Sequence, residues 1–102
     1  MADIKVTSDP KNVGLSAERL MKLDDLLKTY VDDGLLPGWL VAVARRGEVV
    51  HLSTYGHADV EAGKPVKTDT IFRIYSMTKP LTSVATMMLW EDGVIEIGRA
   101  HV

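Results

Sequence analysis

The sequence predicts an α/β protein of the α+β type, in the order helix, antiparallel hairpin, loop and second helix. Three patterns indicate this order. Apolar residues at spacings of three and four indicate two helices, and two adjacent apolar runs indicate a hairpin, while glycines and prolines separate these segments. The 102 residues, 46% of them hydrophobic and 25% charged, are typical of a globular domain and not of a disordered chain.

The first helix is predicted at residues 17–33, after a polar lead-in at residues 1–14. Ser16 belongs to the residue types that cap helices, and Glu18 places a negative charge in the first turn, where the helix dipole favours it. The helix should end before Gly34. Its apolar face is formed by Leu20, Leu23, Leu27, Tyr30 and Val31.

The hairpin is predicted from residues 39–44, a continuously apolar run that is typical of a strand buried on both faces. Gly47 offers a turn, and residues 49–55 resume as a β-branched strand. We expect a polar loop at residues 56–69 and a short strand or extended segment at residues 70–74. Because a single hairpin is marginally stable in water, this chain should be part of a larger fold.

The second helix is predicted to begin at Ser76 and to end at Gly93. Its apolar face is wide, so we expect the helix to be largely buried. The residues of this face are Leu81, Val84, Ala85, Met88 and Leu89.

Composition excludes several functions. A net charge of −2 argues against electrostatic binding of nucleic acid, and the absence of cysteine excludes disulfides and thiolate chemistry. No run approaches the roughly 18 apolar residues of a membrane span, and the first ten residues lack a signal-peptide pattern, so we expect a cytoplasmic protein. His51 and His57 have no partner at metal-ligand spacing, so no metal site is predicted.

Ser76 and Lys79 form an S-x-x-K motif, and their context favours chemistry. A second match, Ser8 to Lys11, lies in the polar lead-in. Residues three apart share one side of a helix, so Lys79 can reach the Ser76 hydroxyl and accept its proton. The positive helix end and burial both favour the neutral amine that a base must be, and the Ser76 N–H is a natural oxyanion donor.

The segment around this motif, residues 69–83, resembles the active-site segment of the serine β-lactamase-like hydrolases. It is most similar to the branch that holds class C β-lactamases and family VIII carboxylesterases. Residues 56–59, 63–66 and 91–93 are similar to flanking segments of that family, in the same order. The resemblance covers about residues 15–95 and implies a β-lactamase/transpeptidase-like fold, of which this chain would hold the N-terminal part.

The resemblance also implies a site and an activity. Ser76 would be the acylated nucleophile and Lys79 its proton acceptor, without a metal or organic cofactor. Tyr75 would line the substrate cleft or serve in packing. The substrate would be a small ester or amide, with short-chain esters favoured over β-lactams and D-amino peptides. The family's Tyr-x-Asn element and its late Lys-Thr-Gly-type strand do not follow Lys79.

These departures lead to an expectation about the chain's extent. Residues 1–96 are predicted to be the N-terminal fragment of a bacterial-type hydrolase domain. Residues 97–102 read IGRAHV, which matches the translation of a common sequencing adapter, so they are predicted to be a non-native tail. The fragment by itself should be inactive.

A second class of function remains open at this point. The chain could be a small non-enzymatic interaction module of helix, hairpin and helix, and no pattern in the sequence defines its oligomeric state.

Overall fold

The computed structural model describes residues 4–98, which divide into two compact units. Among the described residues, the first unit is residues 4–70 and the second is residues 71–98. The predicted non-native tail, residues 97–102, lies outside the described residues from residue 99 onward.

The predicted order of helix, antiparallel hairpin, loop and helix is confirmed. In the first unit the described residues form a 3-10 helix, helix α1 and strands β1, β2 and β3, which are Pro10–Val13, Ala17–Asp32, Gly38–Arg45, Glu48–Asp59 and Lys64–Pro65. The strands form one antiparallel sheet with β2 in the middle. The second unit contains a 3-10 turn at Tyr75–Met77 that leads into helix α2, Thr78–Glu91.

Helix α1 begins and ends where its sequence signals predict. The Ser16 hydroxyl accepts a hydrogen bond from the Arg19 N–H at 3.3 Å, which satisfies one of the free donors of the first turn. Gly34 follows the helix with a left-handed φ of 79°. Tyr30 of the predicted apolar face is exposed. The other residues of that face are half-buried, namely Leu20, Leu23, Leu27 and Val31.

The hairpin between β1 and β2 closes through Arg46 and Gly47. Both residues have left-handed φ angles, 54° and 78°. Two consecutive left-handed residues match the right-handed twist of the flanking strands, and glycine adopts this conformation without steric cost. The pairing of β1 with β2 is continuous apart from one shift between Val43 and Ala44.

Helix α1 is joined to the sheet through Trp39. The indole N–H donates a hydrogen bond to the Leu27 carbonyl of α1 at 3.0 Å. Trp39 lies opposite Tyr55 across β1 and β2, and their rings meet edge to face with centroids 6.1 Å apart. With 7% of its surface exposed, Trp39 is one of the buried residues of this unit.

Tyr55 extends this contact toward the end of α1. Its hydroxyl donates a hydrogen bond to Asp32 at 2.8 Å, and the Lys28 ammonium lies 5.6 Å from the centre of its ring. The hydrogen bond to Asp32, with smaller contributions from burial and from the Asp32 charge, raises the pKa of Tyr55 above its ordinary value.

The expectation that residues 39–44 are buried on both faces is wrong. Ala42 and Ala44 are exposed, whereas Trp39 on the other face is buried. The reason is that α1 contacts the sheet through the face of Trp39. A continuous apolar run does not show by itself which of its two faces is covered.

The predicted loop at residues 56–69 contains strand structure. Strand β2 continues to Asp59, and β3 pairs with its end. The Val66 N–H donates to the Gly56 carbonyl at 3.1 Å, and the Val66 side chain is buried. Gly56 pairs with Gly38 of β1, so the backbones approach closely here. Residues 70–74 form no strand.

The polar lead-in is more ordered than its composition predicts. The Thr7 N–H donates to the Val49 carbonyl at 2.7 Å, and the Val49 N–H donates to the Thr7 hydroxyl at 2.9 Å. The 3-10 helix that follows buries Val13. The lead-in is therefore bound to the start of β2.

The second helix is confirmed as a helix, but the prediction that it is largely buried is wrong for the described chain. No residue of α2 is buried. A helix buries a face only where another layer lies against it, and the described part of the second unit consists of a turn, this one helix and irregular segments. Neither described helix combines the length and the apolar character needed to cross a membrane.

Replacing Gly56 with alanine should destabilise the first unit strongly. A Cβ at Gly56 would lie 2.5 Å from the Pro37 carbonyl oxygen and 2.7 Å from the Gly38 Cα, and the φ of 81° is left-handed. The matched control is Gly63→Ala, which shares a left-handed φ of 65° but meets nothing within 4 Å. We expect a loss of about 1–2 kcal/mol for Gly63→Ala and more for Gly56→Ala, measured by urea unfolding. Equal losses would contradict the close approach.

Stability should fall when Tyr55 ionises. Because its pKa is raised in the folded chain, the bond to Asp32 contributes fully below the ordinary tyrosine pKa and is lost as pH rises through the folded value. Asp32→Ala should lower the pKa of Tyr55, as followed by the NMR signal of its ring carbon. The control Asp33→Ala, which changes an exposed neighbour, should leave that signal's titration unchanged. If Tyr55 titrates at the same pH in the original chain, in Asp32→Ala and in Asp33→Ala, then Asp32 does not raise the pKa of Tyr55.

Candidate functional site

Ser76 lies in the middle of the 3-10 turn that leads into α2. The Met77 N–H donates to the Ile74 carbonyl at 3.0 Å, and the Thr78 N–H donates to the Tyr75 carbonyl. Helix α2 thus starts two residues later than predicted, with Met77 as its N-cap residue and without a side-chain capping bond. Ser76 is not the N-cap of α2, which removes the simplest structural reason for a serine at this position.

Lys79 is the second residue of α2, three residues after Ser76. Residues three apart lie on the same side of a helical segment. The 3-10 turn that contains Ser76 continues directly into the first turn of α2, which contains Lys79. No hydrogen bond between the Ser76 hydroxyl and the Lys79 amine is present among the described residues. In free enzymes catalytic hydrogen bonds are often long, so its absence does not argue against the pair.

All three residues named from the sequence for this site, Tyr75, Ser76 and Lys79, are exposed. The expectation that Lys79 is buried is therefore wrong for the described chain, for the same reason as for α2 as a whole. Lys79 lines a shallow depression that runs along one side of α2. The lining residues are Thr78, Lys79, Thr82, Ser83, Thr86 and Met87.

Tyr75 has an unusual backbone conformation. Its φ is 47°, in the left-handed region, which costs about 1–2 kcal/mol for a residue with a Cβ. The side chain is 81% exposed, so the described chain does not use the ring for packing. The sequence carries no signal for this conformation, because tyrosine is not a residue type that favours it.

The other S-x-x-K motif has a local structural role. The Ser8 hydroxyl accepts a hydrogen bond from the Asn12 side-chain amide at 3.3 Å. Lys11 lies in the short 3-10 helix, and its N–H donates to the Asp9 side chain at 3.1 Å. The expectation that no helix lies at this motif is wrong, because Pro10–Val13 form a one-turn 3-10 helix.

Asp24, His51 and Ser53 form a cluster between α1 and β2 that was not predicted from the sequence. The His51 Nε2 lies 2.8 Å from an Asp24 carboxylate oxygen, and the Ser53 hydroxyl donates to that same oxygen at 2.8 Å. The side chains of His51 and Asp24 are 16% and 17% exposed. An aspartate between the apolar positions of α1, together with alternate polar residues on β2, was the signal that could have revealed this contact.

These residue types are those of a catalytic triad, but the geometry is different. In a triad the histidine stands between the serine and the aspartate and uses one ring nitrogen for each. Here Nε2 faces both groups, and the Ser53 hydroxyl is bonded to Asp24, with Nε2 3.4 Å away. The cluster therefore holds α1 to β2. Among residues 4–98, no three His, Cys, Asp or Glu side chains converge where they could hold a metal ion.

The structure thus places Ser76 and Lys79 three residues apart on a turn that leads into a helix. A model of the beta-lactamase family matches residues 23–99, a range that contains the whole turn and α2. The chain therefore belongs to the beta-lactamase family, and the resemblance seen in the sequence is confirmed.

The proteins similar to this chain include an esterase, a serine beta-lactamase-like protein and a beta-lactamase. Esterase EstB of Burkholderia gladioli is 36% identical over 90 residues, which are 87% of this chain and 23% of the esterase. The mitochondrial serine beta-lactamase-like protein LACTB of Homo sapiens is 41% identical over 73 residues, 72% of this chain and 13% of that protein. A beta-lactamase of Yersinia enterocolitica is 36% identical over 62 residues, 61% of this chain and 16% of the enzyme. The chain thus spans less than a quarter of each of these relatives.

Removing the Asp24 carboxylate should loosen α1 from the sheet. Asp24→Ala leaves His51 and Ser53 without their shared partner in a half-buried place, so we expect a loss of about 1–3 kcal/mol in urea unfolding. Asp25→Ala, at the exposed next position, is the control and should stay within about 0.5 kcal/mol of the original chain. Equal effects would show that the cluster contributes nothing to the docking of α1.

Proposed function

We propose that the whole protein is a serine hydrolase that forms an acyl-enzyme on Ser76, with Lys79 as the proton acceptor. The observation that carries the proposal is the S-x-x-K motif on the turn that opens α2, inside the segment that matches the beta-lactamase family. Because the chain covers only part of its relatives, the activity is proposed for the whole protein. We assign residues 1–96 to the N-terminal part of its hydrolase domain.

The reaction follows from the chemistry of the two side chains. The Ser76 oxygen attacks the substrate carbonyl carbon while its proton moves to the neutral Lys79 amine. The resulting tetrahedral oxyanion accepts a hydrogen bond from the Ser76 N–H, which lies at the start of the helical segment and has no acceptor within it. The alcohol or amine then leaves with the proton from Lys79, and water hydrolyses the acyl-Ser76 ester to release the acid.

The proposal requires that Lys79 be neutral when Ser76 attacks. A fully solvated ammonium holds its proton, whereas burial and the positive end of a helix favour the neutral form. In the described chain Lys79 is exposed. We therefore expect the activity only where further protein surrounds this turn, and we expect the 102-residue chain by itself to be inactive.

The substrate class we favour is a small ester with a short acyl chain. Support comes from the similar protein named esterase EstB, whose match covers 87% of this chain. Another similar protein is named beta-lactamase, so a cyclic or linear amide is the second candidate. Both substrates use the same Ser76 acylation and differ only in the leaving group.

The decisive variant is Ser76→Ala in the whole protein. We expect hydrolysis of p-nitrophenyl acetate to fall by at least about 10³-fold, because no other group replaces the nucleophile. A fluorophosphonate should add its mass to the peptide that contains Ser76. Ser8→Ala, which changes the other S-x-x-K motif, should keep both activity and labelling.

Lys79→Arg tests the second residue, because a guanidinium stays charged and cannot accept the proton. We expect a loss of about 10²–10⁴-fold with folding retained. If the whole protein neither hydrolyses the ester nor reacts with the probe, the hydrolase proposal is wrong, and a non-enzymatic interaction module becomes the better interpretation.

A further inference from the structure

Two residues other than glycine have left-handed backbone angles in the described part of the chain, and they stand in different contexts. Arg46, with φ 54°, lies beside Gly47 in the hairpin between β1 and β2. A two-residue hairpin requires that conformation. Tyr75, with φ 47°, lies in no hairpin and directly precedes Ser76. The turn geometry that explains Arg46 does not explain Tyr75.

The ring of Tyr75 is not what holds this conformation. The side chain is 81% exposed, and no hydrogen bond or ring contact of the tyrosine side chain is present among the described residues. Backbone bonds hold it instead. The Tyr75 carbonyl accepts from the Thr78 N–H, and the Ile74 carbonyl accepts from the Met77 N–H at 3.0 Å. Strain of this kind persists only where the surrounding structure imposes it, and it occurs preferentially at functional sites.

The conformation has a direct consequence for Ser76. Ile74 has φ −101° and ψ 1°, and the left-handed Tyr75 follows it. The peptide unit between Tyr75 and Ser76 is planar and carries the Ser76 N–H, so the backbone angles of Tyr75 set the direction of that N–H. The Ser76 N–H is the proposed oxyanion donor. The same angles set the direction in which the chain enters the helical segment, and therefore the position of the Ser76 Cβ and hydroxyl.

We propose that Tyr75 is a positioning residue that acts through its backbone, with its left-handed conformation orienting the Ser76 hydroxyl and N–H for acylation. This inference rests on the proposed hydrolase function and deepens it. It replaces the two roles that the sequence left open for the Tyr75 ring, because it requires neither a substrate-lining ring nor a packing ring.

The test uses three substitutions at Tyr75 in the whole protein. Tyr75→Ala removes the ring and keeps a Cβ, so its backbone preference is similar to that of tyrosine. Tyr75→Gly removes the ring and adopts a left-handed φ freely. Tyr75→Val resists that φ because its branched Cβ crowds the backbone. If the backbone is what matters, alanine and glycine keep the kcat for p-nitrophenyl acetate within about threefold, whereas valine lowers kcat about tenfold or more with little change in KM.

Two further measurements separate positioning from general destabilisation. Arg46→Val places the same crowded residue at the other left-handed position, and it should lower the melting temperature without lowering kcat. Tyr75→Gly releases backbone strain, so it should melt at or above the temperature of the original protein while it keeps activity. This second result tests the strain even if Tyr75→Val fails to fold.

The outcomes distinguish this inference from the function on which it rests. A whole protein that does not react with fluorophosphonate at Ser76 overturns both. Labelling at Ser76 together with a normal kcat for a folded Tyr75→Val overturns the positioning role alone. A similar rise in KM in all three variants overturns it as well, because that result would assign the role to the ring. A melting temperature of Tyr75→Gly well below the original would refute the strain.

Discussion

The indole of Trp39 connects three elements of the first unit. It stands on β1, its ring and that of Tyr55 on β2 meet edge to face, and its N–H donates to the Leu27 carbonyl of α1. An aromatic pair of this kind adds about 0.5–1.5 kcal/mol beyond the burial of its area. Because the indole is fixed from both sides, the face of the sheet that α1 covers is fixed as well.

The polar contacts between α1 and β2 follow from the fact that α1 covers the face of the sheet that carries Trp39. Residues that alternate along a strand point to the same side, so His51, Ser53 and Tyr55 all face α1 once Trp39 does. They meet Asp24 and Asp32, which lie two turns apart on the helix. These hydrogen bonds satisfy polar groups that would otherwise be half-buried without partners, and they make any other rotation of α1 costly.

The second unit has no buried residue in its helix, α2. Its helix has the apolar face of a core element, yet Leu81, Val84, Met88 and the other side chains of that face are exposed. The proposed chemistry of Ser76 and Lys79 has the same requirement as the apolar face, because a base must lose its proton and a solvated lysine keeps it. Burial of α2 would therefore serve both the stability of this helix and the reactivity of the pair.

Much of the fold could be predicted, because its signals are local. Ser16 and Gly34 mark the ends of α1, and Gly47 marks the hairpin, since capping and turn formation depend on a few neighbouring residues. Strand β3 was not predicted, because it consists of Lys64–Pro65 and depends on the distant end of β2 for its pairing. The Asp24 cluster was missed for the same reason, since its members are far apart along the chain.

At the candidate site, too, the features that depend on neighbouring residues could be predicted and the others could not. The residue types and the three-residue spacing of Ser76 and Lys79 could be read directly, because spacing along a helix is a local property. The left-handed backbone of Tyr75 could not, since tyrosine does not favour it and only the hydrogen bonds of the surrounding turn impose it. The burial of α2 was predicted wrongly, because apolar periodicity shows which face a helix can bury but not whether anything covers it.

The sequence by itself determined the positions of the helices and the hairpin, the S-x-x-K motif and the family resemblance, all of which depend on residue types at short spacings. The tertiary structure alone decided which face of the sheet α1 covers, which polar groups meet across that contact, and the strained turn before Ser76. These features depend on contacts between distant residues or on the closure of a hydrogen-bonded turn, and in both cases the energy of the whole arrangement outweighs the preference of the single residue.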